Sequence, residues 1–301
     1  MNSVLAAFLT GIIVIIPAPP DPGAPAPPAG SASSSGPALS LPGPLPSVGL
    51  PSTRLPSAEL PRLPSVRLPA PGRVLPTRVG NLNMTNWKLQ LPVGGEEKPT
   101  EVLNPKPGEG VAGKWFNLIG DSSGGRGLVF RAPVNGVTTK GSKNPRSELR
   151  EMNSDGSKAA WSSSSGTHTM IVREAFTRVP RGNPRIVGAQ IHDAADDVTV
   201  FRLEGSNLYV TNGDDPHHKL VTSTYKLGTP FEAKFVVSDD QTRAFYNGHE
   251  VASIRKAYNG AYFKAGAYTQ ANCSNTSDCS TDNYGEAVIY DLRVEHAGGG
   301  G

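Results

Sequence analysis

Cysteine is nearly absent from this chain of 301 residues, which contains only Cys273 and Cys279. The two lie six positions apart in the polar stretch ANCSNTSDCSTDNYG, and no histidine stands near them at the spacing of a zinc motif. The pair therefore argues against a zinc site. If the chain is exported, we expect the two cysteines to form a disulfide that closes a short loop and stabilises it modestly.

Long apolar runs are also missing. The run at residues 4–16, VLAAFLTGIIVII, has thirteen residues, whereas a helix needs about 20 to span a bilayer. Thirteen residues suit the core of a secretory signal, so we predict a signal segment at residues 1–16 and a secreted protein. No positive charge precedes the run and no cleavage site is evident, which leaves a misassigned start codon or a buried helix as alternatives.

Residues 17–80 lack the mixture of side chains that a packed domain needs. They consist mainly of Pro, Ala, Ser, Gly and Leu, with repeated Leu-Pro pairs. Proline removes amide donors and holds its neighbours extended, so we predict a disordered, semi-rigid linker. Recognition of this segment by another protein or by a cell wall is the alternative.

An excess of charge of one sign is absent from the rest of the chain. The first 80 residues hold five basic and two acidic residues, and subtracting them from 29 and 26 leaves 24 of each sign. A domain without net charge gives no support for nucleic-acid binding, which requires a basic face. We expect a monomer without nucleic-acid or membrane partners, which recognises any anionic ligand by locally placed cations.

Helical periodicity is scarce after residue 81, and short β-branched or alternating runs bounded by Gly, Asn, Asp and Pro take its place. Eleven such runs predict an all-β fold over residues 81–297, an antiparallel β-jelly roll (β-sandwich) with a concave groove. In YNGH, residues 246–249, the Asn-Gly pair predicts a tight hairpin turn between two strands.

Three of these runs place their polar groups on one face, because alternate side chains of a strand share a face. If the three strands neighbour one another in one sheet, their polar faces line one groove. A solvated face with cross-strand ion pairs is the alternative for the first run, whereas the aromatic rings and planar groups of the third favour sugar binding. The faces are Arg146, Glu148 and Arg150 in RSELR, Gln190 and His192 in QIH, and Tyr262, Lys264, Gly266, Tyr268 and Gln270 in YFKAGAYTQ.

These three motifs, in this order and preceded by NWKLQLPV, resemble the signatures of the alginate lyases of polysaccharide lyase family seven. The resemblance does not extend to the Pro-rich segment. It implies a β-jelly roll enzyme that cleaves alginate, an acidic polysaccharide, by β-elimination at the 4-O-glycosidic bond. It also implies that neither a metal nor an organic cofactor is required.

The resemblance assigns roles to individual side chains. Arg146 and Gln190 are expected to neutralise the uronate carboxylate, His192 to act as the general base at C5, and Tyr268 to donate a proton to the departing O4. Ile in the middle motif, here Ile191, favours guluronate-containing blocks, although alternation points this residue away from the groove. The expected substrate-binding residues are Glu148, which also orients the arginines, Arg150, Lys264 and Gln270.

Two other functions use the same residues. A non-catalytic carbohydrate-binding module would present this groove as a binding surface alone. A retaining glycoside hydrolase needs two carboxylates about 5 Å apart. Glu148 and Glu151 fall on opposite faces of their strand, so the hydrolase is the weaker alternative.

Overall fold

The computed structural model describes residues 82–107, 113–120 and 126–298, with Arg126 described for its backbone alone. The predicted signal segment at residues 1–16 and the predicted linker at residues 17–80 lie outside the described residues. Within the described ranges, no helix has both the length and the apolar character needed to cross a membrane.

The described residues form fifteen β-strands and no α-helix, as the scarcity of helical periodicity predicted. The strands are β1 (Trp87–Gly95), β2 (Lys98–Leu103), β3 (Phe116–Gly120), β4 (Arg126–Pro133), β5 (Arg146–Glu151), β6 (Thr167–Arg178), β7 (Arg185–His192), β8 (Asp197–Glu204), β9 (Asn207–Asn212), β10 (Asp215–Thr222), β11 (Phe231–Ser238), β12 (Gln241–Tyr246), β13 (His249–Arg255), β14 (Tyr262–Thr269) and β15 (Tyr284–Ala297).

These strands build two antiparallel sheets. The first has the order β10-β9-β8-β7-β14-β5-β1-β2, and the second has the order β13-β12-β11-β6-β15-β4-β3. Large apolar side chains from both sheets fill the space between them, among them Phe130, Phe176, Phe201, Phe235 and Phe263, all fully buried. The predicted antiparallel β-sandwich of the jelly-roll class is confirmed.

Alternating burial shows how the sequence positions each strand. In β11, Phe231, Ala233, Phe235 and Val237 are buried and the residues between them are partly exposed. Such alternation is the pattern of a strand with one face on a core and one towards solvent. β14 differs, because Lys264 on its groove face and Phe263 on its core face are both buried.

The predicted hairpin is present between β12 and β13. Asn247 and Gly248 have φ angles of 50° and 83°, and β13 begins at the next residue, His249. Two consecutive positive φ angles define the tight turn whose twist matches that of paired strands, and Asn-Gly adopts it most readily.

Three strands, β2, β3 and β10, were not predicted from the sequence. Each lies at the edge of its sheet and has one neighbouring strand within it. β10 buries none of its side chains fully, and β3 buries Phe116 alone. Edge strands that pack little against a core have no reason to alternate apolar and polar residues, so the periodic signal is missing.

Candidate active site

The three motifs lie on three neighbouring strands. β14 pairs with β7 on one side and with β5 on the other. Lys264 lies opposite both Gln190 and Arg150, and Tyr268 lies opposite Arg146. The register thus brings the polar faces of RSELR, QIH and YFKAGAYTQ together on one side of one sheet.

These side chains form the floor of a groove with a volume of about 350 Å³. A second cleft of about 190 Å³ adjoins it, because both are lined by Gln190, Asp197 and Tyr268. Gln270 lines this second cleft. The other predicted residues line the groove itself: Arg146, Glu148, Arg150, Gln190, His192, Lys264 and Tyr268.

Glu148 is completely buried in this floor and holds three of the predicted residues. Its Oε1 accepts a hydrogen bond from Arg146 Nη1 at 3.1 Å and pairs with the Lys264 ammonium, and its Oε2 accepts one from Gln190 Nε2 at 2.6 Å. The resemblance gave Glu148 two expected roles, orienting the arginines and binding substrate. A carboxylate without exposed surface, whose two oxygens are both occupied, orients its neighbours instead.

Burial and charge act on this cluster in opposite directions. Burial raises the pKa of the Glu148 carboxyl, but Lys264 and Arg146 lower it more, so that the pKa lies below its ordinary value. Burial lowers the pKa of Lys264 to about 8, although Glu148 offsets part of the effect. With Arg150, which also lines the groove, this part of the floor holds three cations and one carboxylate and therefore suits an anion.

Gly266 allows β14 to approach the buried carboxylate. It lies opposite Glu148 with a φ angle of 146°, which side chains rarely tolerate. A Cβ added there would stand 2.6 Å from the Ser147 carbonyl oxygen and 2.7 Å from Glu148 Cα. The glycine of YFKAGAYTQ is therefore required by the close packing of β14 on β5.

The Tyr268 side chain is held by a cation and a hydroxyl group. The guanidinium carbon of Arg146 lies 3.9 Å from the centroid of the Tyr268 ring, within the range of a cation–π contact. The Tyr268 hydroxyl lies 3.1 Å from Ser142 Oγ, which also accepts a hydrogen bond from the Asn144 amide. The phenol is therefore fixed at the rim of the groove.

His192 is presented in a defined tautomer. Its Nδ1 lies 3.1 Å from the carbonyl oxygen of Asp193. A carbonyl oxygen only accepts hydrogen bonds, so Nδ1 carries the proton and Nε2 of the neutral ring keeps its lone pair. Burial lowers the pKa of His192, with a smaller contribution in the same direction from Lys264. The ring is therefore neutral at pH 7 and can accept a proton.

Tyr262 packs between two site residues from the flanking strands. Its ring stacks on His192 with centroids 5.3 Å apart and planes at 15°, and the guanidinium carbon of Arg150 lies 3.9 Å from its centroid. Arg150 also donates a hydrogen bond to the Ala159 carbonyl oxygen at 3.0 Å. Arg150 is thus oriented by Tyr262 and by backbone oxygens, whereas Glu148 orients Arg146.

Gln270 is turned towards the second cleft by Arg202 of β8. Its Oε1 accepts a hydrogen bond from Arg202 Nη1 at 3.0 Å, and Arg202 Nε donates to Glu204 at 2.6 Å. Arg202 and Gln270 both line the cleft. Gln270 therefore lies in an extension of the groove beyond Tyr268, separated from the Glu148 cluster.

Several groove residues were missed in the sequence. Lys88 and Gln90 of β1 lie opposite Arg150 and Glu148, and both line the groove. In NWKLQLPV, Lys88 and Gln90 alternate with apolar residues, as the polar residues of the three motifs do. This alternation could have placed both side chains on the groove face. Ser142 and Asp197 lie in or next to loops, where residue order has no period. Burial raises the pKa of Asp197 to about 6.

The predicted disulfide joins Cys273 and Cys279, whose Cα atoms are 4.8 Å apart. The residue immediately before this closed loop, Asn272, contacts the segment next to the groove. Asn272 Nδ2 donates a hydrogen bond to Asn144 Oδ1 at 2.8 Å, and the Asn144 amide donates to Ser142 Oγ at 3.2 Å. Asn272, which adjoins the disulfide, is therefore connected to Tyr268 through the segment that carries Ser142.

Among the residues that the structure describes, no group of three or more His, Cys, Asp and Glu side chains is arranged to hold a metal ion.

Several solved structures with the same architecture are alginate lyases. The alginate lyase from Corynebacterium sp. is 55% identical with a TM-score of 0.67, and the match covers 71% of this chain and 95% of that one. The alginate lyase AlgAT5 of polysaccharide lyase family 7 is 41% identical with a TM-score of 0.64 and the same two coverages. None of the curated proteins compared with the chain matches it.

A third structure holds a substrate. A doubly substituted form of the family 7 alginate lyase A1-II′, in complex with the substrate GGMG, is 28% identical with a TM-score of 0.56. The match covers 73% of this chain and 96% of that one. The family model described as alginate lyase matches residues 82–296, which include β1 to β14 and all of β15 except its last residue. The chain belongs to the alginate lyases of polysaccharide lyase family 7.

Proposed function

We propose that this protein is a secreted enzyme that cleaves alginate by β-elimination, leaves an unsaturated uronate at the new chain end, and prefers guluronate-containing blocks. The observation that carries the proposal is the cluster in which Glu148 holds Arg146 and Gln190 beside His192 and Tyr268. Secretion is supported by the apolar run at residues 4–16 and by the disulfide.

Elimination begins with neutralisation of the substrate carboxylate. The C5 proton is α to this group, and its removal moves charge onto oxygens that are already negative. Arg146 and Gln190 each use one donor on Glu148 and retain further N–H groups for the substrate. Because Glu148 fixes both side chains before substrate binds, little reorganisation is needed in the transition state.

Proton transfer follows on the two sides of the reacting sugar. His192 Nε2 takes the C5 proton, the C5–H electron pair forms the C4–C5 double bond, and the C4–O4 bond breaks. The Tyr268 hydroxyl gives its proton to O4, and return of a proton from His192 to Tyr268 through solvent resets the site. Bond cleavage consumes no water, which distinguishes the reaction from hydrolysis.

Ultraviolet absorbance of the C4–C5 double bond tests this function directly. We expect absorbance to rise when the protein is incubated with alginate, and reducing ends to appear in step with it. Reducing ends without absorbance would indicate a hydrolase, and binding without either would indicate a carbohydrate-binding module. Either outcome contradicts the proposal.

Substitution of the two proton-transfer residues tests their roles. We expect His192→Ala and Tyr268→Phe each to lower kcat by about 10²- to 10⁴-fold, the range for loss of general acid–base catalysis, with the fold preserved. Matched controls are His249→Ala in the β12–β13 hairpin and Tyr284→Phe on the other sheet, which should retain full activity. Full activity in either site variant would remove that residue from the mechanism.

Purified blocks test the substrate preference. The relative A1-II′ has been solved with the substrate GGMG and with the product GGG, which supports guluronate-containing blocks for this chain as well. We expect a higher kcat/KM on guluronate blocks than on mannuronate blocks. The reverse order would contradict the preference but leave the elimination intact.

A further inference from the structure

The regular alternation of side chains along β7 is interrupted in the middle of the strand. Val187 and Gln190 both face the groove side, whereas Ala189 and Ile191 belong to the core. Positions 187 and 190 of a regular strand point in opposite directions. Against β8, the three steps from Val187 to Gln190 pair with two steps of the neighbouring strand, so β7 contains a β-bulge that includes Gly188. Against β14 the same three steps pair with four, so the register shifts at this point on both sides of β7.

The carboxyl group of Glu174 fills this bulge from the other sheet. Glu174 lies on β6, and its Oε1 accepts a hydrogen bond from the Ala189 amide at 3.2 Å. A Cβ added to Gly188 would stand 2.5 Å and 2.6 Å from the two carboxyl oxygens. The glycine therefore leaves the space that the carboxyl occupies, and the carboxyl satisfies an amide at the bulge, where the ladder is interrupted.

A carboxyl at this position is costly to the fold. Glu174 is completely buried on the face of β6 that also presents Met170 and Val172, and its Oε2 has no hydrogen-bond partner among the described residues. Burial raises its pKa to about 8, so the group is mostly neutral at pH 7. An apolar side chain would avoid this desolvation cost but would leave the buried Ala189 amide without an acceptor, so the role of the carboxyl lies at the bulge of β7.

We propose that Glu174 is a positioning residue for the elimination, which holds the bulge of β7 through the Ala189 amide and thereby turns Gln190 and His192 towards the groove. Without the bulge, the end of β7 shifts by one residue and exchanges its faces. Ala189 and Ile191 would then face the substrate, and the neutralising and basic groups would face the core. The catalytic consequence rests on the proposed function, whereas the positioning can be measured without substrate.

Two variants of Glu174 separate the hydrogen bond from packing. Glu174→Gln keeps an acceptor oxygen of the same shape, so we expect kcat close to that of the unsubstituted protein. Glu174→Met keeps the volume but removes the acceptor, and we expect kcat to fall by about 10²-fold, as for a small misplacement of reacting groups. Val172→Ala, on the same face of β6, is the control for lost packing and should lower the melting temperature while kcat of the folded protein stays unchanged.

Amide hydrogen exchange and the titration of the His192 ring by NMR report the positioning in the absence of substrate. In Glu174→Met we expect faster exchange at Ala189 and an altered His192 titration, and in Glu174→Gln and Val172→Ala we expect both to be retained. If the unsubstituted protein fails to cleave alginate but these two signals behave as expected, the proposed function is wrong and the positioning stands.

Unchanged kcat in a folded Glu174→Met protein, or unchanged Ala189 exchange and His192 titration, would overturn the proposal. If that variant does not fold, Gly188→Ala tests the same contact from the other strand, because its Cβ must displace the carboxyl. We expect Gly188→Ala to lose kcat and to alter the His192 titration, and wild-type values of both would equally overturn the proposal.

Discussion

At the scale of single residues, the groove depends on a carboxylate that is sealed beneath it. Glu148 is the shared partner of Arg146, Gln190 and Lys264. Its removal would leave two buried cations close together without a counter-charge, and breaking a buried pair in this way costs roughly 3–5 kcal/mol. One side chain thus determines both the stability of the floor and the orientation of its donors.

Glu148→Gln tests this dependence. A glutamine has nearly the same shape but carries no charge, so we expect kcat/KM to fall by about 10²-fold through misplaced donors, and the free energy of unfolding to fall by several kcal/mol. Kinetics on alginate and thermal unfolding measure the two effects. Asp291→Asn breaks the exposed pair with Arg293 on the other sheet and should cost less than about 1 kcal/mol. Equal destabilisation by both variants would contradict the role of Glu148.

The pH dependence of kcat/KM follows from two shifted groups. His192 must be neutral to act as a base, and burial lowers its pKa, so the acid limb should lie below pH 6.5, the ordinary value for histidine. Burial lowers the pKa of Lys264 to about 8, and deprotonation there removes a cation from the floor, so an alkaline limb should appear near pH 8.

A kcat/KM profile between pH 5 and pH 10 measures both limbs. The alkaline limb should move to higher pH in Lys264→Arg, because a guanidinium does not titrate in this range. An acid limb above pH 6.5 would contradict the assignment of the acid limb to His192 as a base whose pKa is lowered by burial.

At the scale of secondary-structure elements, β14 is the strand that joins the site. It lies between β7 and β5, and its side chains meet the second and first motifs on either side. Its close approach to β5 depends on Gly266, whose missing side chain leaves room for Glu148. The strand therefore carries a packing requirement in addition to its polar face.

Gly266→Ala tests that requirement. The new Cβ would meet the Ser147 carbonyl oxygen and Glu148 Cα at a φ angle that disfavours it, so we expect a loss of roughly 2–5 kcal/mol in the free energy of unfolding. Chemical denaturation measures the loss. Gly95→Ala, at the end of β1 where an added Cβ meets nothing within 4 Å, should be nearly neutral. Equal stability of the two variants would contradict the close packing.

At the scale of the whole molecule, recognition of an anionic polymer does not depend on net charge. Residues 81–301 carry 24 basic and 24 acidic residues, after those of the first 80 residues are subtracted from 29 and 26. On the three central strands, the groove instead presents three cations, Arg146, Arg150 and Lys264, and one carboxylate, Glu148. Added salt should therefore weaken the binding of alginate only by screening the charges of these groove residues.

Removal of residues 1–80 tests the predicted division of the chain into an N-terminal signal segment and linker and a separate enzyme domain. The groove residues named above all lie after residue 81, and the family model matches residues 82–296. We expect residues 81–301 to fold and to cleave soluble alginate with the same kcat and KM as the full chain. Steady-state kinetics on both proteins, with circular dichroism as the control for folding, provide the comparison. A large loss of kcat in the folded shorter protein would show that the division is wrong.

The sequence by itself determined the fold class, the central strands and the polar face of each motif. Side chains on a strand alternate, so Arg146, Gln190 and Tyr268 could be placed on faces before any contact was known. The edge strands β2, β3 and β10 were missed because they bury little and carry no period. The Asn-Gly turn was predicted because its geometry is local.

Only the tertiary structure decided which groups meet. The burial of Glu148, the contact of Ser142 with Tyr268 and the contact of Glu174 with Ala189 join residues far apart in the chain. Hydrogen bonds of this kind depend on strand order, register and one bulge, and none of these leaves a periodic trace in the sequence. Alternation thus determined the direction of each polar side chain, and the packing of two sheets determined its partner.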